Sequence, residues 1–221
     1  MNILKDIWSE LRLVLTGKTV DAIIPPGVFV IANAFFGEAY AVAFAVGVSL
    51  LFLGRRLRQQ QSIWYAVTGL LGTLFAATLA LVGGAANFFI PGMISSLSVV
   101  VAALVSNLMK RPLTAYISHL TRGWTLAWFW RDDIRPAYVE TTWLWAIFFL
   151  ARFGLQLNAF ISGDVADIAI VNLVLGFPGL ILLLVATYAW GLPRLRMLKG
   201  PGIDEYDQQL KPPWRGQTKG F

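Results

Sequence analysis

Six long apolar segments constrain the fold of this chain more than any other feature of its sequence. A helix crosses the hydrocarbon core of a bilayer with about 20 apolar residues, and a range of about 17 to 25 is tolerated. The chain is 57% hydrophobic and only 14% charged, a balance too apolar for the surface of a soluble domain. We therefore predict an all-α, polytopic membrane helix bundle with about six transmembrane helices, at residues 20–36, 39–53, 63–82, 89–109, 141–161 and 168–192.

The second of these segments leaves two topologies open. Residues 39–53 form a short span that would need the flanking Arg55 and Arg56 to extend toward the headgroups. The first two segments could instead form a re-entrant pair that turns at Gly37 and Glu38. The number of spans would then fall to about four.

The basic residues predict the orientation of the bundle. Of the 18 lysine and arginine residues, all except Arg152 fall in the termini and loops of one side. The loops of the opposite side, at 37–38, 83–88 and 162–167, contain none. The positive-inside rule then places both termini in the cytoplasm. The same rule accounts for the formal charge of +6, so the charge does not indicate nucleic-acid binding. Nucleic acid is not an expected partner.

Residues 1–19 predict an interfacial amphipathic helix that precedes the six-span membrane domain at 20–198. They do not read as a secretory signal, because charged residues interrupt the apolar ones. The apolar residues recur at helical spacing, as expected for a helix lying on the membrane: Leu4, Trp8, Leu11 and Leu15. A solvated helix of a soluble domain is the alternative interpretation.

The loop after the fourth span predicts a second interfacial helix, at 112–130. Its apolar residues form one stripe, namely Leu113, Tyr116, Ile117, Leu120, Trp124 and Trp128. We expect Trp124, Trp128 and Trp130 to anchor it among the lipid headgroups. Residues 199–221 are rich in glycine, proline and charge, which predicts a flexible cytoplasmic tail unless a partner holds it.

Prolines interrupt the predicted spans at three places, which contain Pro25 and Pro26, Pro91, and Pro178. Proline removes an amide donor and frees a carbonyl one turn earlier, and broken helices at membrane depth often line solute sites. Proline kinks are also ordinary in membrane helices. The breaks are therefore compatible with a structural role and with transport.

Arg152 is the most informative single residue, because it lies near the centre of the fifth span. A cation at that depth is costly and is expected to face the bundle interior with a partner. Gln156 lies one turn further along the same face, and Asn33 and Asn172 are polar residues of the first and sixth spans. These four residues form a candidate intramembrane polar site, either as a cross-link between helices or as an attachment point for an anion.

The sequence offers little equipment for catalysis. It contains no cysteine and one histidine, His119, so no thiolate or multi-histidine metal site is expected. The Asp132-Asp133 pair resembles the acidic motifs of membrane transferases, but a second acidic motif is absent, and a polar turn is the preferred interpretation. No protease, hydrolase or nucleotide-binding motif is present. We expect a protein that is not an enzyme and has no metal or cofactor.

The order of motifs resembles the bacterial membrane family called domain of unknown function 3159. The similarity covers residues 18–195 and rests on short motifs in a fixed order: Pro25-Pro26, Arg55-Arg56, Phe89-Ile90-Pro91-Gly92, Lys110-Arg111-Pro112-Leu113, Trp130-Arg131-Asp132, Tyr138 with Thr142 and Trp145, Arg152 with Gln156, Gly176-Phe177-Pro178, and Thr187-Tyr188. The resemblance implies a multi-pass protein of the bacterial inner membrane with no established activity. It also implies a distant similarity to intracellular septation proteins.

Two hypotheses for function follow. In the first, the protein is a non-catalytic scaffold or assembly partner in the cell envelope, as small-residue stripes and interfacial helices suggest. In the second, it is a small carrier, channel or lipid-handling protein with an anion site at Arg152. The expected partners are membrane lipids, together with other proteins or further copies of the chain.

Overall fold

A computed structural model of the chain describes residues 17–59, 64–218 and 220–221. Most of the predicted interfacial helix at 1–19 lies outside these residues. The described residues contain helices and no strands, which confirms the all-α, membrane-type fold class. The first part of the chain forms α1 (Gly17–Phe36), α2 (Glu38–Arg58), α3 (Trp64–Gly83), a 3-10 helix (Ala85–Phe89) and α4 (Ile90–Leu108).

The second part begins with two short helices and contains the longest one. Its elements are α5 (Leu113–Arg122), α6 (Leu126–Phe129), α7 (Arg135–Ser162), α8 (Val165–Leu175), α9 (Phe177–Leu198) and α10 (Ile203–Asp207). The predicted sixth span therefore consists of two helices, α8 and α9, which are separated at Gly176.

Four helical segments are long and apolar enough to cross a membrane among the described residues: Glu38–Arg58, Ala85–Leu108, Arg135–Ser162 and Val165–Leu198. Two shorter apolar helices are found at Ile24–Phe36 and Val67–Gly83. α2 is longer than the span predicted at 39–53, because the helix continues through Arg55, Arg56 and Arg58. Cations in a last helical turn interact favourably with the helix dipole. The number of spans remains a prediction.

The chain divides into two compact units. The alanine unit contains the described residues of 17–95 and 152–179, and the aromatic unit contains 96–151 and the described residues of 180–221. The buried core of the alanine unit is built mainly from small residues and three phenylalanines. Ala41 and Ala45 of α2 and Ala76 and Ala80 of α3 belong to one cluster with Phe29. Such small residues let helix backbones approach closely in lipid.

Large rings form the core of the aromatic unit. Trp128, Phe129, Tyr138 and Phe221 pack with Leu192 in one buried cluster. The rings of Phe129 and Tyr138 meet edge to face at 4.9 Å between centroids, a favoured aromatic geometry. This core joins α6, α7 and α9 to residues near the end of the chain.

The predicted helix at 112–130 is interrupted. α5 ends at Gly123, which adopts the left-handed conformation (φ 72°) that is common after a helix, and α6 forms only a single turn. α5 buries Thr114, Ala115 and Ser118 within the protein, whereas Leu120 of the predicted apolar stripe is 81% exposed. Contact of this stripe with the membrane stays a prediction. Periodicity could not identify the buried face of α5, because its hydroxyl groups are paired inside the protein: Thr114 donates to the main-chain oxygen of Tyr138 at 2.9 Å.

The segment after Leu198 differs from the flexible tail that the sequence predicts. α10 lies within it, and Ile203 and Phe221 are buried in the aromatic core. Its loops are fixed by side chains: Ile203 donates its main-chain N–H to Gln217 at 3.0 Å, and Trp128 donates to the main-chain oxygen of Pro201 at 2.9 Å. Composition predicted mobility because it does not report contacts between residues that are distant in the sequence, such as Trp128 and Pro201.

Candidate intramembrane polar site

Gln156 of α7 and Asn172 of α8 form a hydrogen-bonded amide pair in the alanine unit. Gln156 is completely buried and donates through Nε2 to Oδ1 of Asn172 at 2.9 Å. Asn172 in turn donates through Nδ2 to the main-chain oxygen of Ile168, one turn earlier, also at 2.9 Å. Buried amides need such partners because an unpaired one carries the full cost of desolvation. The structure therefore brings together two of the four predicted site residues.

Arg152 lies one helical turn before Gln156 on α7 and is half-buried. Its Nε is buried and has no hydrogen-bond partner among the described residues. The predicted acceptors are thus absent at this atom. Gln156 and Asn172, two of those acceptors, are paired with each other instead. A buried guanidinium N–H without an acceptor is costly.

Asn33 lies on α1 and is half-buried. Its helix packs against α8 through Phe29, which shares a buried cluster with Ile168 and Ala169. The Asn33 side chain forms no hydrogen bond with Gln156 or Asn172 in this part of the structure. Sequence reasoning grouped Asn33 with Arg152, Gln156 and Asn172, and the hydrogen bond between Gln156 and Asn172 does not include it.

The prolines occupy two kinds of position. Pro25 and Pro26 lie inside α1, where Pro25 is buried. Pro91 and Pro178 are each the second residue of a helix, α4 and α9. The first turn of a helix tolerates proline because its N–H groups have no intrahelical acceptor. These two prolines thus begin helices rather than kink them.

One helix start lies close to the amide pair. A Cβ atom placed on Gly92 would lie 3.7 Å from Oδ1 of Asn172 and 3.8 Å from Nε2 of Gln156. The α8 helix ends four residues after Asn172, at Gly176, where a Cβ would collide with the main-chain oxygen of Asn172. The pair therefore lies beside the Pro91-Gly92 helix start, and α8 ends one turn beyond it.

The three predicted tryptophan anchors have different environments in the aromatic unit. Trp128 is completely buried, so it is a core residue and the prediction of a headgroup contact is wrong for it. Trp124 and Trp130 are half-buried, and cations lie over their rings. Arg122 lies 4.9 Å from the Trp124 ring centroid, and Arg111 lies 5.7 Å from that of Trp130. Anchoring by Trp124 and Trp130 stays a prediction.

The acidic pair lies in a turn between α6 and α7, as the preferred interpretation predicted. Asp132 accepts a hydrogen bond from Arg135 at 2.6 Å, and Asp133 accepts two from Arg131, each at 2.8 Å. The hydrogen bonds that Arg131 donates to Asp133 raise the pKa of Arg131, against the effect of desolvation. No group of three or more histidine and acidic residues suited to a metal ion occurs in the described ranges.

Several motif residues that are distant in sequence meet in the aromatic unit. Trp145 of α7 donates to Thr187 of α9 at 3.0 Å, and Thr142 lies 2.9 Å from the hydroxyl of Thr114. Glu140 accepts hydrogen bonds from Arg194 at 2.8 and 3.0 Å. Sequence analysis noted the motifs but could not pair them, because nothing in a single chain reports which helices are neighbours.

A family profile described as "Protein of unknown function (DUF3159)" matches residues 16–196. The match includes the amide pair, Arg152, the helix-start prolines and the motif residues of α7 and α9. Searches among curated proteins and among solved structures found no match. Because the match spans most of the sequence, the chain belongs to the DUF3159 family of proteins of unknown function.

Proposed function

We propose that this protein is a non-catalytic scaffold or assembly partner in the inner membrane of the bacterial cell envelope. One observation carries the proposal: α5, α6 and the described residues of 200–221 pack into a fixed, aromatic-rich layer, which we call the platform. None of the four long apolar segments lies in the platform. A scaffold needs such a rigid surface, because a preorganised surface loses less entropy on binding.

Two kinds of contact keep the platform rigid. Arg131 lies 5.9 Å from the ring centroid of Tyr206 and 5.3 Å from that of Trp214. Glu205 accepts main-chain N–H bonds from Gly202, Arg215 and Gly216 at 2.7–3.1 Å. These contacts hold residues 200–218 in one conformation and leave Leu210 half exposed among polar neighbours.

The charge distribution supports a cytoplasmic location for the platform. Basic residues cluster in the termini and in the loop that contains α5 and α6, and the opposite loops lack them. Under the positive-inside rule, both termini then lie in the cytoplasm. The partners of such a platform would be cytoplasmic or membrane proteins, with lipids around the spans and no role for nucleic acid.

Photo-crosslinking in living cells tests this proposal. We replace Leu210 with benzoyl-phenylalanine and use Leu182 as the control, since it is 70% exposed and lies on the apolar helix α9. A discrete protein adduct is expected at Leu210 and none at Leu182. An adduct at Leu182 alone would contradict the platform as the assembly surface. Absence of adducts at both positions, with a single-chain size on native gels, would contradict the scaffold role.

A second function is favoured by the buried, unpartnered Nε of Arg152. In this alternative, the protein is a small carrier, channel or lipid-handling protein whose anionic ligand pairs with Arg152 in the membrane. Thermal unfolding in detergent separates the two roles. A structural role predicts that Arg152→Gln lowers the Tm with or without anionic lipid. Anion binding predicts that Arg152→Gln removes only the increase in Tm that phosphatidylglycerol produces.

A further inference from the structure

A pocket in the aromatic unit is filled by the side chain of Phe221. Its ring stacks on Tyr138 with centroids 4.4 Å apart and planes within 12°, and it meets Tyr188 edge to face at 6.4 Å. Phe221 is only 3% exposed. A Cβ atom on Gly191 would collide with the ring, so glycine at this position of α9 leaves room for a flat group.

Arg122 provides the polar side of the same pocket. Its Nε donates to the main-chain oxygen of Phe221 at 3.1 Å, and its Nη2 donates to the hydroxyl of Tyr188. The guanidinium also lies over the ring of Trp124. A planar cation held by two rings presents its N–H groups in a fixed direction, and it binds a carboxylate more strongly than a neutral oxygen.

Tyr138 adds a buried hydroxyl to the pocket. The residue is completely buried, and its hydroxyl has no hydrogen-bond partner that satisfies distance and angle in the described part of the chain. The Ser118 side chain lies close enough to interact with this hydroxyl, and the charge of Arg122 also acts on it. A buried hydroxyl without a partner is uncommon in native proteins, and a ligand with an acceptor atom would satisfy it.

The family match includes the residues that line the pocket but not the residue that fills it. Arg122, Tyr138, Tyr188 and Gly191 fall within the matched residues 16–196, and Phe221 falls outside them. The walls thus belong to the part of the chain that defines the family, whereas the group that fills the pocket does not.

We propose that this pocket is a binding site for a small molecule that carries an aromatic ring beside a carboxylate, and that Phe221 is its internal competitor. The ring would stack on Tyr138 beside Gly191, and the carboxylate would accept hydrogen bonds from Arg122. The proposal goes beyond the scaffold function, and Phe221 is the one residue of the platform that it requires to move. Phe221 must leave before the ligand enters, so the apparent affinity equals the intrinsic affinity multiplied by the fraction of open molecules.

Titration of the protein with N-acetylphenylalanine tests the proposal, with the change in tryptophan fluorescence as the signal, since Trp124 and Trp128 lie in the same core as the pocket. Phe221→Ala is expected to bind this probe about tenfold or more tightly than the unaltered protein, because the competitor is absent. Gln208→Ala, in the same segment but exposed, is the matched control and should bind as the unaltered protein does. N-acetylphenylalanine amide should bind more weakly than the acid, and N-acetylalanine should not bind.

Two further substitutions in the Phe221→Ala background test whether Gly191 and Arg122 line the binding site. Gly191→Ala should abolish binding by filling the space of the ring, and Arg122→Gln should remove the preference for acid over amide. If Phe221→Ala does not purify folded, Phe221→Leu takes its place, and the same order of affinities is expected. The proposal is overturned if the folded variant does not bind the acid, or if Gly191→Ala leaves binding unchanged.

Discussion

The two units of this protein bury their polar groups in different ways. The alanine unit packs helices closely on small residues and contains the amide pair of Gln156 and Asn172. The aromatic unit surrounds arginines with rings and uses carboxylates such as Glu140 and Asp133 as partners. Close backbone packing suits helices in lipid, whereas rings and ion pairs suit a layer near water. The two cores therefore depend on different side-chain chemistry.

The largest expected effect is loss of Trp128, the central ring of the aromatic unit. Trp128→Ala removes a fully buried indole and its hydrogen bond to Pro201, which should lower the free energy of unfolding by about 3–5 kcal/mol. Chemical unfolding in detergent measures this. Trp190→Ala, on a half-exposed tryptophan of α9, is the control and should cost much less. Equal losses would mean that Trp128 is not a core residue.

Overpacking should be the most damaging change in the alanine unit. Ala45 of α2 is completely buried, so Ala45→Leu should force the helices apart and cost about 1–3 kcal/mol. Ala39 lies on the same helix and is exposed, so Ala39→Leu should leave the Tm nearly unchanged. If Ala45→Leu stabilises the protein instead, close packing of alanines does not hold this unit together.

Loss of the amide pair should lower the free energy of unfolding by an intermediate amount. Gln156→Leu leaves the Asn172 oxygen without its buried donor, so we expect a loss of about 1–3 kcal/mol. The double variant Gln156→Leu with Asn172→Leu should recover part of this loss, since no amide then remains unpaired. Additive losses from the two single variants would show that the hydrogen bond contributes no coupling energy.

Glu205 provides the smallest effect and a pH dependence that only the aromatic unit should show. Desolvation raises the pKa of Glu205, but N–H groups of Arg215, Gly202 and Gly216 hold it below its ordinary value. The folded segment is therefore stabilised above the unfolded pKa of about 4.3, and this contribution disappears as the pH falls through the lower folded pKa. Hydrogen exchange at residues 202–216 should accelerate in that range.

The Glu205→Gln variant is the control for this titration. It should exchange faster at neutral pH and lose the dependence on acid, because glutamine accepts hydrogen bonds without a charge. A pH profile that is the same for both proteins would show that another group is responsible.

The difference between the units also explains what could be predicted from the sequence. Apolar length and small-residue spacing are local signals, and they predicted the helices and the close packing of Ala76 and Ala80. The aromatic unit depends on contacts between distant residues, such as the 99 positions between Arg122 and Phe221, which leave no local pattern. The packing of the segment after Leu198 and the hydroxyl-rich buried face of α5 could not be predicted for this reason.

The candidate site was predictable in part. Polar residues inside apolar spans identified Arg152, Gln156 and Asn172, because each is conspicuous against its neighbours. Their pairing was not predictable, since it depends on how α7 and α8 turn toward each other. Pro193 lies inside α9, and the continuation of this helix past it to Leu198 was not predicted, because Pro193 follows the apolar segment.

Accessibility of single cysteines in intact cells tests the proposed membrane arrangement most directly, and the chain has no native cysteine to interfere. Ala39→Cys and Asp164→Cys should react with an impermeant maleimide from outside. Gln208→Cys, on the exposed surface of the platform, should react only after permeabilisation. Absence of labelling at Ala39 would favour the re-entrant, four-span topology. Labelling of Gln208 in intact cells would contradict a platform on the cytoplasmic side, and with it the scaffold proposed here.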